Sequence, residues 1–253
     1  MKLPRRLDHG QEVVLVGHLD ELRSRLFVAG GAITATTILA FVVHRQVIAL
    51  LVAQLPPHHR QLLTLGVAEP FTTSLKVSFA LGFFLALPIV LWQLWSFVAP
   101  AMTPKTQRGI TGFTVFAAAL LAGGGFFGYR VALPAALHFL TNYDNSVYNV
   151  QIRAADFISF SVLVLAACGA VFELPIAVLG LVRVGALTSK KLRSNRRIGY
   201  MIVAAIGVAL PGVDPVTTIV ETIPLAILFE ASIWLSVFFE RRWFAPLAAV
   251  EGI

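Results

Sequence analysis

Residues 76–98 read KVSFALGFFLALPIVLWQLWSFV, and Lys76 is the one charged residue in this stretch. An α-helix rises about 1.5 Å per residue, so about 20 apolar residues in a row cross the hydrocarbon core of a bilayer. The composition of the whole chain agrees, because 57% of its residues are hydrophobic and 13% are charged. Soluble domains carry about a quarter charged residues. The sequence therefore predicts an all-α integral membrane protein.

Six apolar runs of this kind divide the chain. They predict membrane helices at about 26–50, 72–98, 110–139, 157–182, 197–211 and 216–239. The fifth run is too short to cross a bilayer upright, and Pro224 interrupts the sixth, so we expect both of these helices to be short. Residues 1–253 are predicted to form a single six-span domain, with a cytoplasmic amphipathic N-terminus (1–25) and a cytoplasmic tail (240–253).

Positive charge is distributed unevenly between the two ends of these runs. Fifteen of the 20 Lys and Arg residues precede the first run, follow the sixth, or lie in the loops after the second and fourth runs. Loops rich in Lys and Arg stay on the cytoplasmic side of a membrane. The distribution predicts that both termini are cytoplasmic. It also accounts for the net charge of +7 without nucleic-acid binding, because the basic residues lie on loops and not on a separate soluble domain.

Several classes of chemistry are not indicated. Cys168 is the single cysteine, so an intramolecular disulfide and a cysteine metal site are excluded. The chain has no HExxH, GxSxG or GxxxxGK[ST] motif, and its histidines do not follow metal-ligand spacing. We therefore expect no metal, no cofactor and no enzymatic activity. A six-span secondary transporter is an alternative, but such proteins are built from internal repeats, and none is visible here.

Residues 18–26, HLDELRSRL, place charged side chains directly before the first apolar run. Leu19, Leu22 and Leu26 recur at helical spacing, which predicts an amphipathic helix at the membrane surface. Glu21 offers a carboxylate to a cationic partner, and a carboxylate can hold a guanidinium by two parallel hydrogen bonds. The pattern indicates either an anchor whose arginines set topology or a docking site.

Five further segments follow in a fixed order. They are AEPFTTSLKVS (68–78), PIVLWQLWSFVAPAMTPK (88–105), FFGYRVALPAALHFL (126–140), VFELPIAVLGLVRVGALTSKKLRSNRR (171–197) and ALPGVDPVTTIVETIPLAILFE (209–230). Together with HLDELRSRL, they resemble TatC, the multispanning receptor subunit of the twin-arginine protein translocase. The resemblance covers nearly the whole chain, from His18 to Arg242.

The resemblance implies a concave, glove-shaped wall of six helices in the bacterial cytoplasmic membrane. It implies a receptor for signal peptides with consecutive arginines, working with single-span TatA-like and TatB-like subunits and with further copies of itself. Folded proteins would then cross the membrane, driven by the proton-motive force.

The resemblance also assigns roles to particular residues. It implies that Glu21 binds the arginine pair of the signal, together with Arg23 and Leu26 of the same motif. The family has a second acid in the loop that follows Pro100, and this position falls on Thr106. The missing acid leaves two alternatives open: Asp20 or Glu12 compensates for it, or the chain is a divergent paralogue with altered signal binding.

Within the predicted spans, the resemblance places Glu173 and Gln93 on the polar concave face, and acids at membrane depth are usually functional. A hydrogen bond between helices is the alternative role for Glu173. Trp95 and Phe97 complete a Gln-x-Trp-x-Phe pattern with Gln93. Near the helix ends, Glu69 is expected to cap the second span and Lys76 to extend to the interface. Asp214 is expected either to form a turn or helix cap or to have a functional role. Pro70 and Phe71 belong to the Glu69 motif, while Glu221 has no clear counterpart and is expected to make an interfacial polar contact.

Overall fold

The computed structural model describes residues 9–98, 110–144, 150–183, 185–210 and 214–248, and most of these residues are helical. In chain order, its α-helices are α1 (His9–Val42), α2 (His44–Val52), α3 (Glu69–Val98), α4 (Ile110–Phe127), α5 (Leu133–Asn142), α6 (Ala154–Phe172), α7 (Leu174–Arg183), α8 (Ser189–Ser194), α9 (Arg196–Ala209) and α10 (Pro215–Ala248). A π-helical turn, Gly128–Ala132, joins α4 to α5. In the described ranges, extended backbone pairs at an isolated bridge between Leu63 and Arg153. The predicted all-α class is confirmed.

Five segments of the described chain are long and apolar enough to cross a membrane. They are Asp20–Val42, Glu69–Leu94, Gly112–Asn142, Ala154–Arg183 and Pro215–Glu240, which correspond to the first four and the sixth predicted spans. The buried share of their most apolar windows ranges from 11% in the first to 39% in the fourth. Most apolar side chains of these helices therefore face outward, as expected where lipid takes the place of water as the surrounding solvent. The chain is a multi-pass membrane protein.

The two C-terminal helices differ from each other in length. Helix α9 has 14 residues, which is about 21 Å at about 1.5 Å per residue, so it is as short as predicted. Helix α10 has 34 residues and continues through Pro224, so the prediction of a short sixth helix is wrong. A proline inside a membrane helix is tolerated, because neighbouring groups satisfy the backbone carbonyl that it leaves without a partner.

The first predicted span is divided differently from the prediction. Helix α1 runs without interruption from His9 into the apolar segment, so the charged stretch 18–26 and the first span share one helix. This helix ends at Val42, and α2 begins at His44. The ring Nδ1 of His44 lies 2.6 Å from the carbonyl oxygen of Phe41 at this break. The predicted run 26–50 is therefore two helices.

Helices α1 and α3 lie antiparallel and close together. A Cβ atom at Gly82 would lie 2.5 Å from the Cα atom of Thr37, so only glycine fits at this crossing. The hydroxyl of Thr36 donates a hydrogen bond to the carbonyl oxygen of Gly82 at 2.7 Å. The crossing sets the register of the pair, and this register brings the N-terminal part of α1 beside the C-terminal part of α3.

The middle of the molecule is built from α4, α5, α6 and α7. Helix α4 contacts α6 through Gly124, where a Cβ atom would lie 2.7 Å from the carbonyl oxygen of Cys168. Leu133, Leu137, Phe157 and Ile158 form a buried cluster that also holds α2 in place. This cluster anchors the end of the molecule at which α3 and α6 begin.

Helix α9 is attached to α10 by polar contacts as well as by packing. The carboxylate of Glu230 on α10 accepts hydrogen bonds from the hydroxyl of Tyr200 at 2.8 Å and from Nη2 of Arg196 at 3.3 Å. Nearby, the backbone N–H of Ser189 donates to a carboxylate oxygen of Glu240 at 2.7 Å. The basic segment 189–197 is thus fixed against the C-terminal half of α10.

Candidate functional site

Glu21 on α1 lies where α1 meets the C-terminal part of α3. Its Oε1 accepts hydrogen bonds from Nε and Nη2 of Arg25, at 3.0 and 2.6 Å. Nη1 of the same guanidinium donates to Oε1 of Gln93 on α3 at 3.3 Å. We call these three residues the Glu21–Arg25–Gln93 cluster. The side chain of Glu21 is 35% exposed and that of Arg25 is 24% exposed, so a partner can reach the cluster from outside.

Arg25 is the residue of the cluster to which the sequence motif had assigned no binding role. Glu21 and Arg25 are four positions apart, which is the spacing at which oppositely charged side chains meet on a helix. That spacing is a signal in the sequence that could have identified Arg25. The contact with Gln93 has no such signal, because it joins residues 68 positions apart and depends on how α1 packs against α3.

Arg23 and Leu26, the other predicted members of the signal-binding motif, lie beside the cluster. The guanidinium carbon of Arg23 lies 5.7 Å from the ring centroid of Phe27, a cation–π contact on α1 itself. Leu26 is 70% exposed and belongs to the apolar outer surface of the helix. Both residues face outward.

Several predicted residues lie at or beyond the edge of the described chain. Thr106 and Pro100 are outside the described residues, and the side chain of Trp95 is not described. Phe97 is half-buried near the end of α3. The second half of the predicted signal-binding site, the loop after α3, is therefore known here from the sequence alone.

Glu173 lies at the junction between α6 and α7. Its backbone N–H donates to the carbonyl oxygen of Ala170 at 3.2 Å, which tightens the last turn of α6, and Pro175 follows two positions later. Both oxygens of its carboxylate are shielded from solvent and have no hydrogen-bond partner among the described residues. The structure thus places an unsatisfied acid at a break in the fourth span, which is the position that the sequence singled out.

Glu221 on α10 is a second acid of this kind, and the sequence had assigned it an interfacial contact only. The residue is 2% exposed, and neither of its carboxylate oxygens has a hydrogen-bond partner in the described part of the chain. An acid inside an apolar run is itself a functional signal, and that signal could have found Glu221.

Glu69, the first residue of α3, joins three separate segments. Its carboxylate forms an ion pair with Nε of Arg153 at 3.1 Å and accepts hydrogen bonds from the backbone N–H groups of Leu65, Gly66 and Ala155 at 3.0–3.2 Å. The carboxylate also raises the pKa of the Arg153 guanidinium, because it stabilises the positive charge. Glu69 therefore fastens the loop before α3 to the beginning of α6, which is more than the predicted helix cap.

Other motif residues at this end support the same junction. Nζ of Lys76 donates to the hydroxyl of Ser159 on α6 at 3.0 Å, and its extension to the membrane interface stays a prediction. The carbonyl oxygen of Pro70 accepts the hydroxyl of Ser74 at 2.8 Å, and Phe71 is exposed on the outer surface of α3.

Asp214 is the N-terminal cap of α10. Its Oδ1 accepts the backbone N–H of Thr217 at 2.7 Å, and its Oδ2 accepts the Thr217 hydroxyl at 2.5 Å. This arrangement satisfies a backbone donor that the first turn of a helix leaves without an internal partner. The predicted cap is present, and a functional role of Asp214 stays a prediction.

In the described ranges, no three His, Cys, Asp or Glu side chains are arranged to hold a metal ion. The described residues instead form the Glu21–Arg25–Gln93 cluster, which holds the guanidinium of Arg25, and leave two shielded acids, Glu173 and Glu221, elsewhere in the helices. The oxygen acceptors of Glu21 and Gln93 can receive hydrogen bonds from a cationic group. Arginine is favoured because its guanidinium is planar and carries several donors in fixed directions.

Comparison with known proteins identifies the family. The model of the Sec-independent protein translocase protein TatC matches residues 17–224. The TatC protein of Carboxydothermus hydrogenoformans is 30% identical over 92% of this chain and 96% of its own length. The TatC protein of Deinococcus radiodurans is 34% identical over 88% of this chain and 85% of its own length.

Two crystal structures of the twin-arginine translocase receptor TatC share the fold. One matches with a TM-score of 0.74 and 31% identity, covering 87% of this chain and 98% of that chain. The other, in DDM, has a TM-score of 0.76 and 31% identity, over 87% of this chain and 99% of that chain. With the family model matching residues 17–224 and the helices superposing over most of both chains, this protein belongs to the TatC family of Sec-independent protein translocase proteins.

Proposed function

We propose that this chain is the signal-peptide receptor and core subunit of a twin-arginine translocase. In this role it binds signal peptides with consecutive arginines and serves the export of folded proteins, driven by the proton-motive force. Family membership supports the assignment to the translocase. The observation that supports the receptor role is the contact of 2.6 Å between the Glu21 carboxylate and the guanidinium of Arg25, because a carboxylate in this position can accept hydrogen bonds from an arginine.

Glu21 is the proposed primary contact for the arginine pair of the signal. Arg23 and Leu26 are proposed to border the bound peptide, and the exposure of Leu26 supports an apolar contact with the segment that follows the arginines. The loop that contains Thr106 is proposed to close the other side of the site. Pro100, Trp95 and Phe97 would shape the entrance to this loop.

We propose six spans with both termini in the cytoplasm of a bacterium, which places the Glu21–Arg25–Gln93 cluster on the cytoplasmic side of the cytoplasmic membrane. The five long spans and the short α9 supply six crossings, and 15 of the 20 Lys and Arg residues fall on the proposed inner side. In this arrangement Glu69 and Asp214 lie on the outer side. The short α9 beside α10 is compatible with a locally thinned bilayer.

The proposed partners are single-span TatA-like and TatB-like subunits, together with further copies of this chain in the same complex. Glu173 supports a role for the helices in such contacts, because an unsatisfied acid at membrane depth faces a wet cavity or a polar partner. Gln93 would line the same concave side as Glu173 toward the inner face.

The experiment that tests the proposal is complementation of a bacterial strain that lacks its TatC protein. This chain is co-expressed with its own TatA-like and TatB-like subunits, and export of a folded reporter with a twin-arginine signal is scored. We expect export that disappears when the two arginines of the signal become lysines. Glu21→Gln should reduce export strongly, because removal of the charge abolishes the charge-assisted hydrogen bonds. Export that persists with the lysine signal would contradict the receptor role.

A second candidate is a divergent paralogue with weaker signal binding. The observation in its favour is Thr106, which stands where the family has its second acid. Thr106→Glu should then raise crosslinking of a twin-arginine signal, with Thr106→Gln as the uncharged control of the same size. Equal crosslinking by all three proteins would argue against the paralogue and for another acceptor in place of the missing acid.

A further inference from the structure

We propose that Glu21 and Gln93 form a seat for one guanidinium group and that Arg25 is an internal occupant of this seat, which an arginine of the signal peptide must displace. The inference rests on the proposed receptor function and adds a second acceptor, Gln93, and a competitor, Arg25. Neither role was part of the sequence assignment, which placed Gln93 on the concave face and counted Arg25 among the arginines that set topology.

The geometry of the cluster supports the seat. Nε and Nη2 of Arg25 both donate to Oε1 of Glu21, at 3.0 and 2.6 Å, while Nη1 donates to Oε1 of Gln93 at 3.3 Å. Two acceptors on two different helices are thus spaced to fit different edges of one planar group. An ammonium has no fixed planar fork, so a lysine cannot bridge both acceptors in the same way. The seat therefore favours arginine over lysine.

The charge of the cluster supports the exchange. Gln93 is neutral, so the seat carries the single negative charge of Glu21, and Arg25 already neutralises it. Binding of a signal arginine is then the replacement of one guanidinium by another, and not the pairing of a bare carboxylate. A second acid in the segment after α3 would add a negative charge that Arg25 does not neutralise, but Thr106 stands at that position.

The internal contact is weak enough to be displaced. Glu21 and Arg25 are an i,i+4 pair on one helix, with side chains 35% and 24% exposed. Pairs of this kind are screened by solvent and contribute little stability, so the side chain of Arg25 can swing outward at low cost. The remaining contact, to Gln93, is the longest of the three.

The rival explanation is that Arg25 only stabilises the packing of α1 against α3. The two explanations predict opposite effects when Arg25 is replaced. A structural role predicts that the loss of Arg25 weakens the receptor and its signal binding together. A competitor role predicts that the loss of Arg25 strengthens binding of the arginine signal.

The test uses the full chain in nanodiscs and two fluorescent signal peptides, one with an arginine pair and one with a lysine pair, measured by fluorescence anisotropy. Arg25→Gln should tighten binding of the arginine peptide about two- to fivefold, the range expected for removal of a weak competing ion pair. Lys190→Gln, which removes one positive charge from exposed α8, is the charge-matched control and should leave binding unchanged.

Gln93 is tested with the same peptides. Gln93→Met should weaken binding of the arginine peptide and reduce the preference for arginine over lysine, because one of the two acceptors is lost. Gln93→Glu should tighten binding of the arginine peptide, because it supplies a second negative charge. A mere packing role of Gln93 would not change the ratio between the two peptides.

The outcomes separate the inference from the proposed function. If the unsubstituted chain binds both peptides equally or binds neither, the receptor function fails and the inference fails with it. If it prefers the arginine peptide but Arg25→Gln binds that peptide no more tightly, the competitor role is overturned and the receptor function stands. If Arg25→Gln does not fold, Arg25→Lys takes its place, because it keeps the positive charge and loses the planar guanidinium. Tighter binding of the arginine peptide by Arg25→Lys then supports the competitor role. Unchanged or weaker binding of that peptide overturns it.

Discussion

At the scale of single residues, the same chemical group has different roles in different places. Glu21 is partly exposed and holds a guanidinium, whereas Glu69 is 6% exposed and is satisfied by an arginine and three backbone N–H groups. Glu173 and Glu221 are shielded and have no hydrogen-bond partner among the described residues. The surroundings, and not the residue type, therefore distinguish these four acids.

Glu69 gives a prediction about stability. Glu69→Gln should lower the thermal unfolding temperature of the purified protein by several degrees, because one amide oxygen cannot accept from the two Arg153 nitrogens and the three backbone N–H groups, and Arg153 loses its carboxylate. The measurement is thermal unfolding in detergent, followed by tryptophan fluorescence. Lys76→Gln, at an exposed contact between the same two helices, is the control and should change the temperature little. A larger effect from Lys76→Gln would mean that Glu69 is not the fastening point.

At the scale of elements, helix ends and helix crossings decide the structure. Helix α10 continues through Pro224 and is fixed at its beginning by Asp214, while α1 and α3 approach closely because Gly82 has no side chain. These features are local, and each can be changed at one position.

The cap of α10 can be tested at Asp214. Asp214→Ala should cost about 1 kcal/mol of stability, within the range of about 0.5–2 kcal/mol known for lost N-caps. Asp214→Asn keeps an acceptor oxygen and should retain most of this stability. Export assays distinguish a further role, because an export defect in Asp214→Asn with normal stability would show that the negative charge itself is needed.

The crossing of α1 and α3 can be tested at Gly82. Gly82→Ala should destabilise the protein by about 1–3 kcal/mol, because the new Cβ meets the backbone of Thr37, which cannot move aside cheaply. Gly31→Ala on α1 is the matched control, since no atom lies within 4 Å of its added Cβ. Alanine has the higher helix propensity, so Gly31→Ala should be neutral or slightly stabilising. Equal effects of the two substitutions would contradict the close crossing.

At the scale of the whole molecule, the proposed six spans and cytoplasmic termini make a topology prediction. A reporter that is active only outside the cytoplasm should be inactive when fused after residue 253 or within 185–188, and active when fused within 145–149. The reason is the concentration of Lys and Arg in the segments proposed to lie inside. An active fusion at the C-terminus would overturn the arrangement.

Much of this protein follows from the sequence by itself. The apolar runs predict the five long spans, and the order of motifs indicates the TatC family before any coordinates are considered. These features are local, since a helix forms in a bilayer wherever enough consecutive apolar residues occur and its backbone must bond within itself. The short α9 was predictable for the same reason, whereas a proline misled the prediction for α10 because a membrane helix tolerates it.

The contacts between helices were decided by the tertiary structure alone. Arg25 meets Gln93 across 68 positions and Glu69 meets Arg153 across 84, and neither pairing is written in a local pattern. Such contacts depend on the rotation and register with which two helices pack, and these are set by small residues such as Gly82 at the crossing. The sequence alone determined which segments are apolar enough to cross a membrane and which acid the family motif singles out. The packing of α1 on α3 determined that Glu21 and Gln93 share the guanidinium of Arg25.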